Sequence, residues 1–281
     1  MKKILLILSL FLSFILNAQN SIPFTLNEYG HIMIKVKVDN VEGNFIFDTG
    51  AGLNVYFEKF AKKLSKKETY NFFVGHRATG EAIDCPLYRS ESLVIGKNNF
   101  KNSTYSTFDV DFPNIDGLIS LQTFQNIPVT IDYEKSELIF GELKNADKKK
   151  FIDIQIADNA GKAIDIFTNV KVNNKIMIQV SLDSGSGKGA FSLSSRFMDV
   201  LGLNKADFKT LEAKSDFNNA KSNKVYTGSV AEISTVNGLA KVENPNARFV
   251  DGLIYEGITG IDWIGKKITI SIPDKKIYIL K

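Results

Sequence analysis

Two aspartates in matching surroundings are the residues of this sequence best suited to chemistry. Asp48 lies in FIFDTGAG, residues 45–52, and Asp183 lies in VSLDSGSG, residues 180–187. In both segments an apolar run ends at a carboxylate, which is followed by a hydroxyl residue and a glycine, a combination that favours a tight turn. The sequence therefore predicts two carboxylates, each displayed where a buried strand bends.

Two such carboxylates, when they lie close together, can provide an acid and a base to one reaction. Like charges at short range cannot both ionise, so the two carboxyl groups share one proton. The ionised member takes a proton from water, while the protonated member donates to a carbonyl oxygen under attack. This chemistry suits the hydrolysis of an amide without a covalent intermediate. We expect neither a cofactor nor a metal.

The flanking segments indicate that one unit of the chain has been duplicated. Residues 36–40 (VKVDN) match residues 170–174 (VKVNN) at an offset of 134, and this offset becomes 135 at Asp48 and Asp183. Further along, DGLISL corresponds to EGITGI, and each precedes a pair of alternating apolar segments. A repeat at a fixed period must be respected by any fold assignment.

Short alternating segments predict an all-β fold with few short helices. In the first unit we expect strands over 21–26 and 31–38, followed by a hairpin turn marked by Asn40 and Gly43. Residues 55–64 have the spacing of a short amphipathic helix.

A long hairpin is predicted over residues 70–83, and its position would allow it to act as a lid. Its polar tip includes Gly75, His76, Arg77 and Gly80. Polar residues at a hairpin end usually only face water, and that interpretation stays open beside a role in binding substrate.

The first 18 residues have the features of a cleaved secretory signal. A basic start precedes an apolar run over 4–15, and the small residue Ala18 follows, so the mature chain would begin at Gln19. The alternative is a membrane anchor, but this run is shorter than the roughly 20 residues that cross a bilayer. We therefore expect no stable membrane span once the signal is removed.

Cysteine content and charge narrow the class of protein further. Cys85 is the single cysteine, so no intrachain disulfide can form. An exported chain that lacks disulfides and is rich in Lys, Asn and Ile suggests a bacterial periplasmic or secreted protein. The net charge of +4 is mild, and the lysine clusters at 62–67 and 148–150 are not interleaved with aromatics. We expect no nucleic-acid partner.

The domain organisation follows from the duplication. We predict a signal peptide at 1–18, an N-terminal lobe at 19–146 and a C-terminal lobe at 147–281. The polar stretch 141–150 would link the lobes. The chain is long enough for two lobes of domain size and need not borrow a core from a partner, and we expect a monomer.

The paired DTGA and DSGS motifs, with ITG at 258–260, resemble those of the retropepsin and pepsin-like aspartic proteases. The resemblance extends over nearly all of the mature chain and is greatest to bacterial forms with both retropepsin-like units on one chain. It implies a bilobal acid-protease-like fold, with the hairpin tip as a substrate-binding flap. One departure is Ser120, which stands where the family pattern has glycine, and another is the lack of an aromatic residue at the hairpin tip.

The resemblance also assigns roles to individual residues. Asp48 and Asp183 correspond to the catalytic pair. Four neighbours correspond to the residues that support the active-site loops, namely Thr49, Gly50, Ser184 and Gly185.

The function these observations predict is that of an exported aspartic endopeptidase acting on a peptide or protein substrate. The alternative is a secreted peptide-binding protein that keeps the bilobal cleft but has little or no activity. A serine hydrolase or a zinc enzyme fits poorly, because the chain has only two histidines, His31 and His76, and neither has the spacing of a triad or a ligand set.

Overall fold

The structure is a computed structural model that describes residues 20–214 and 222–280. The predicted signal peptide at 1–18 lies outside the described residues. The repeat also predicts an equivalent hairpin somewhere in 213–233, and residues 215–221 of that stretch lie outside the described residues as well. Among the described residues, no helix has the length and apolarity needed to cross a membrane.

The first half of the chain forms eleven strands and one short α-helix, and we call this half the first lobe. Its strands are β1 (Asn20–Pro23), β2 (Thr25–Leu26), β3 (Ile32–Val38), β4 (Val41–Asp48), β5 (Asn54–Phe57), β6 (Lys67–His76), β7 (Ala82–Ile95), β8 (Asn98–Phe108), β9 (Gly117–Ser120), β10 (Val129–Asp132) and β11 (Glu137–Phe140). Helix α1 (Glu58–Ala61) follows β5.

The second half, the second lobe, repeats this plan with small differences. Its strands are β12 (Phe151–Asp153), β13 (Gln155–Asp158), β14 (Ile164–Val172), β15 (Ile176–Leu182), β16 (Phe191–Ser194), β17 (Lys209–Lys214), β18 (Ser222–Ser229), β19 (Glu232–Thr235), β20 (Lys241–Glu243), β21 (Asn246–Val250), β22 (Gly257–Thr259), β23 (Lys267–Ser271) and β24 (Lys276–Ile279). Helix α2 (Met198–Leu201) is equally short.

The duplication is visible in the strand order of the two large sheets. In the first lobe the order is β2-β3-β4-β9-β5-β8-β7-β6, and in the second it includes β18-β21-β16-β22-β15-β14. The central pairings agree in direction, because β4 and β15 run parallel to β9 and β22, and these run antiparallel to β5 and β16. The two lobes are therefore copies of one unit. The predicted all-β, bilobal acid-protease-like fold is confirmed.

A third sheet of six strands joins the lobes, in the order β1-β11-β10-β23-β24-β12. At its centre β10 pairs with β23, and Thr130 lies opposite Thr269 with their hydroxyl oxygens 2.6 Å apart. The link between the lobes includes a 3-10 helix at Asn145–Lys149. The boundary at residue 146 stays a prediction.

A continuous cluster of buried apolar side chains extends through both lobes. It forms because β3 and β14 bury alternate residues, as expected for strands with one face on a core. Its members on these two strands are Ile32, Ile34, Val36, Val38, Ile164, Ile166, Val170 and Val172. This core fixes the position of the strands that end at the two aspartates.

The prediction of a helix over 55–64 is largely wrong. Residues 54–57 form β5, and only Glu58–Ala61 is α-helical. All four residues of β5 are buried, because Tyr56 on one face packs into the main core while Val55 and Phe57 on the other face pack into a second apolar cluster. A short run that is buried on both faces lacks the alternation of a half-exposed strand, and periodicity alone cannot distinguish it from a buried helix.

Two smaller predictions also need correction. The expected strand at 21–26 is interrupted at Phe24, because β1 joins the sheet between the lobes while β2 pairs with β3. The turn before β4 is formed by Asp39 and Asn40, whose φ angles of 44° and 70° are typical of a two-residue hairpin turn. Gly43 lies inside β4, where an added Cβ would come 2.6 Å from the ring of Phe60.

Candidate active site

Asp48 is the last residue of β4, and the sheet determines its position. It pairs with Ser120 of the parallel strand β9. The chain then leaves the sheet at Thr49 and Gly50. Only 8% of the Asp48 surface is exposed, so its carboxylate is buried at the bottom of the turn.

Asp183 occupies the corresponding position in the second lobe. Its backbone N–H donates to the carbonyl of Thr259 on β22 at 2.8 Å, which continues the pairing of β15 with β22. A short 3-10 turn over Ser184–Ser186 follows. Asp183 is more exposed than Asp48.

Four hydrogen bonds join the two turns across the junction of the lobes. The Thr49 hydroxyl donates to the carbonyl of Leu182 at 2.7 Å, and the Ser184 hydroxyl donates to the carbonyl of Phe47 at 2.8 Å. Each hydroxyl oxygen also accepts from the backbone N–H of the other residue at 3.0 Å. All four bonds are buried, so they fix the turns relative to each other.

The glycines after the hydroxyl residues allow the carboxylates to meet. A Cβ on Gly50 would lie 2.5 Å from Oδ1 of Asp183, and a Cβ on Gly185 would lie 2.5 Å from Oδ2 of Asp48. Any side chain at either position would collide with the opposite carboxylate. The two carboxylates therefore face each other across the junction.

Each carboxylate is also oriented by its own loop. Oδ1 of Asp48 accepts from the N–H groups of Gly50 at 2.9 Å and Ala51 at 3.1 Å. Oδ1 of Asp183 accepts from the N–H of Gly185 at 2.7 Å, and its Oδ2 accepts from the Ser186 hydroxyl at 2.6 Å.

The pKa of Asp48 is raised well above its usual value. Burial is the largest cause, and the charge of Asp183 and a side-chain hydrogen bond with Asp183 add to it. The hydrogen bonds from Gly50 and Ala51 oppose this rise without cancelling it. Burial and the neighbouring carboxylate thus favour the protonated form of Asp48.

The predicted hairpin extends from the first lobe to the second. Strands β6 and β7 carry Gly75, His76, Arg77 and Gly80 to a tip at which Gly80 has a φ of 83°. There the carbonyl of Ala78 accepts from the N–H of Ile254 at 2.9 Å. The hairpin thus bridges the two lobes beside the junction. Binding of substrate by these four residues stays a prediction.

Ser120, the departure from glycine, has a structural explanation. Its hydroxyl accepts from the N–H of Gln122 at 3.1 Å and caps the 3-10 helix at Leu121–Phe124. Its own N–H donates to Oδ1 of Asn54 at 2.8 Å. The residue is fully buried, and these bonds stabilise the strand that supports Asp48.

Two ionisable residues near the pair were missed in the sequence. His31 and Asp165 correspond to each other at the same offset of 134 that aligns Val36 with Val170. Burial lowers the pKa of His31 while the charge of Asp183 opposes this, and burial together with Asp183 raises the pKa of Asp165 to about 6. Extending the comparison of the repeats by a few residues would have found them.

Comparisons with known proteins agree with this geometry. Residues 34–123 match a family model described as aspartyl protease, and the match contains the Asp48 turn, the hairpin and β9. The first lobe matches the aspartyl protease family. The resemblance to aspartic proteases that the sequence motifs indicate is thereby confirmed, and the match supports a peptidase function.

Among solved structures, the chain is similar to a retropepsin-like aspartic protease from Rickettsia conorii. The two are 26% identical over 43% of this chain and 89% of that chain, with a TM-score of 0.33. A search of the curated proteins found no match.

Proposed function

We propose that this protein is an exported aspartic endopeptidase in which Asp48 and Asp183 activate water for attack on a peptide bond. The observation that carries the proposal is the convergence of two carboxylates from duplicated turns, with a glycine of each turn against the opposite carboxylate. A pair held in this way shares one proton and provides an acid and a base at one point.

The surroundings of the two carboxylates favour a division of roles. Asp48 is the more buried and retains the proton, so it donates to the carbonyl oxygen of the scissile bond. Asp183 accepts a proton from the attacking water. The Ser186 hydroxyl donates to Oδ2 of Asp183 and orients that oxygen.

The two carboxyl groups accept and donate all the protons that the reaction transfers. The water oxygen bonds to the carbonyl carbon, its proton passes to Asp183, and the Asp48 proton passes to the carbonyl oxygen. When the tetrahedral intermediate breaks its C–N bond, the leaving nitrogen takes the proton held by Asp183. Asp48 then regains a proton as the product carbonyl re-forms.

Cleavage within a chain, rather than at its ends, fits the architecture. The hairpin tip rests on Ile254 of the other lobe, so it crosses the junction as a bridge. An extended peptide could pass beneath such a bridge and continue on both sides. We therefore propose endopeptidase activity on peptide or protein substrates.

Export and oligomeric state belong to the same proposal. The basic start and apolar run in residues 1–18 support export, to the periplasm or the medium of a bacterium. Both units lie on one chain and form the sheet between the lobes themselves, which supports a monomer. Protein sequencing of the exported product should give Gln19 as its first residue.

The decisive assay for the activity is digestion of a peptide library that is blocked at both termini, at several pH values. We expect internal cleavage that a general aspartic-protease inhibitor abolishes and that a chelator leaves unchanged. If blocked peptides stay intact at every pH but still bind, the chain is a peptide-binding protein and the proposal is wrong.

A further inference from the structure

Two half-buried ionisable residues flank the aspartate pair at positions related by the duplication. His31 immediately precedes β3, and Asp165 lies near the start of β14, the equivalent strand. The positions are equivalent, but the chemistry of the two side chains is opposite. Such a difference at matched positions makes the two halves of the cleft chemically distinct.

Each of these residues lies against the aspartate turn of the other lobe. A Cβ on Gly187 would be 3.6 Å from Nε2 of His31, and a Cβ on Gly52 would be 3.4 Å from Oδ1 of Asp165. Gly52 and Gly187 are themselves equivalent, each four residues after its aspartate. Both side chains therefore line the cleft next to the catalytic junction, one on each side.

His31 has protein partners. Its Nδ1 lies 3.1 Å from Nδ2 of Asn27, and its backbone N–H donates to Oδ1 of Asn27 at 2.9 Å. The ring also interacts with the backbone of Gly185. This imidazole is thus part of the local structure.

Asp165 has none. Across residues 20–214 and 222–280, no hydrogen bond or ion pair involves its carboxylate, and the residue is half-buried. Lys162, a nearby cation in the sequence, directs its ammonium to the carbonyl of Phe72 at 3.3 Å. A half-buried carboxylate without a partner is costly, and a ligand cation would relieve that cost.

Tyr255 provides an aromatic surface at the same place. Its ring centroid lies 5.9 Å from that of Phe167, which is two residues after Asp165 and on the same face of β14. Burial raises the pKa of Tyr255, and the charges of Asp165 and Asp183 add to this rise. Tyr255 belongs to an apolar cluster that includes Ala78 of the hairpin tip and Leu253. The carboxylate thus lies against the Asp48 turn, and the ring belongs to the same apolar cluster as a residue of the hairpin tip, so a peptide held between the pair and the hairpin would pass beside both.

We propose that Asp165 and Tyr255 form a subsite for a lysine or arginine side chain of the substrate, on one side of the scissile bond. This inference rests on the proposed peptidase function and specifies its substrate class. The carboxylate pairs with the cation, and the ring contacts its aliphatic stem and charged head. The matching position on the other side, at His31, has no anion to offer, so the preference is confined to one side of the bond.

The test uses blocked peptides that differ only by Lys or Gln, placed in turn at each position on both sides of the cleaved bond. At pH 7.5 we expect kcat/KM to favour Lys by about tenfold or more at one position on one side only, as for a desolvated charge pair. Asp165→Asn should reduce this ratio to about one. Asp165→Glu should retain most of it, and Asp111→Asn, an exposed control, should leave it unchanged.

A separate binding measurement distinguishes failure of this inference from failure of the proposed function. Fluorescence anisotropy with the Asp48→Asn variant reports Lys and Gln peptide affinities without turnover. A Lys preference that Asp165→Asn abolishes supports the subsite even if the wild type cleaves nothing. The inference would be overturned if Lys and Gln peptides had equal affinities and equal kcat/KM values. It would also be overturned if folded Asp165→Asn protein kept the preference for Lys.

Discussion

At the scale of single residues, Asp48 and Asp183 sit in nearly identical turns but differ in their environment. Ala51 donates a backbone N–H to Asp48, whereas the equivalent Ser186 donates its hydroxyl to Asp183. Asp48 is also the more buried of the two. Small differences between copies of one unit thus give the two carboxylates different environments, as the proposed division into an acid and a base requires.

Thr49 should be the residue on which the junction of the lobes depends most. Thr49→Val keeps the shape of the side chain, but it leaves the N–H of Ser184 and the carbonyl of Leu182 without this partner in a buried site. Since an unsatisfied buried polar group costs about 1–3 kcal/mol, we expect a loss of roughly 2–4 kcal/mol in the free energy of unfolding. Urea denaturation measures this. Thr49→Ser retains the hydroxyl and should lose less than half as much.

Asp165 should make stability depend on pH. Its pKa in the folded protein is about 6, above the ordinary value of 3.8. Ionisation of this carboxylate therefore opposes folding, with no effect below pH 4 and the full effect above pH 6. Asp165→Asn should raise the free energy of unfolding by on the order of 1–2 kcal/mol at pH 8 and should leave it unchanged at pH 4. A gain in Tm of the same size at both pH values would contradict this assignment.

At the scale of elements, the hairpin formed by β6 and β7 is held to the second lobe by few contacts. One backbone hydrogen bond from Ile254 and the apolar contact of Ala78 connect its tip to that lobe. The strands of the sheet between the lobes are paired along their length instead. Opening of the hairpin should therefore require far less energy than opening of the sheet.

Hydrogen exchange should show this difference directly. We expect the N–H groups of residues 75–80 to exchange on the order of 100-fold faster than those of Ile131 and Phe140, because local opening exposes only the tip. A tightly bound peptide inhibitor should slow exchange at the tip. Equal protection of the tip and of the sheet would show that the hairpin is not a lid.

The elements show where sequence alone suffices and where it does not. The strand before each aspartate was predictable because the repeat contains a matching apolar run in both copies. Strand β3 was predictable because a half-buried strand leaves a period of two in the sequence. Strand β5 was not predictable, because a short strand that is buried on both faces leaves no period of two. The contact of the hairpin tip with Ile254 joins residues about 175 positions apart, and no local pattern reports it.

At the scale of the whole molecule, the two lobes are joined at several places, two of which are buried hydrogen-bonded contacts. One is the buried set of hydrogen bonds between Thr49 and Ser184, and the other is the central pairing of β10 with β23. The second contact includes an ion pair of 3.0 Å between Lys267 and the nearly buried Asp132.

The duplication and the pairing of the aspartates were predictable from the repeat. The partnerless state of Asp165 was not, because it depends on every neighbour that the fold brings near.

Because of the contacts between them, the lobes should unfold as one unit. Trp263, the single tryptophan, contacts Phe191 in the second lobe, so its fluorescence reports that lobe, whereas far-UV circular dichroism reports both. We expect coincident urea midpoints by the two methods. Midpoints separated by more than about 0.5 M would show that the lobes unfold independently.

The most direct test of the catalytic assignment is the pH dependence of kcat/KM for one cleaved peptide, measured for wild type, Asp48→Asn and Asp183→Asn. The wild-type profile should be bell-shaped, since activity needs one proton on the pair, and its upper limb should lie above the usual range of aspartates because burial raises the pKa of Asp48. Each variant should lose at least about 1,000-fold in kcat/KM while keeping its fold, and the double variant should be no worse than either. Asp111→Asn should behave as wild type. Wild-type turnover by either Asp48→Asn or Asp183→Asn would contradict the account.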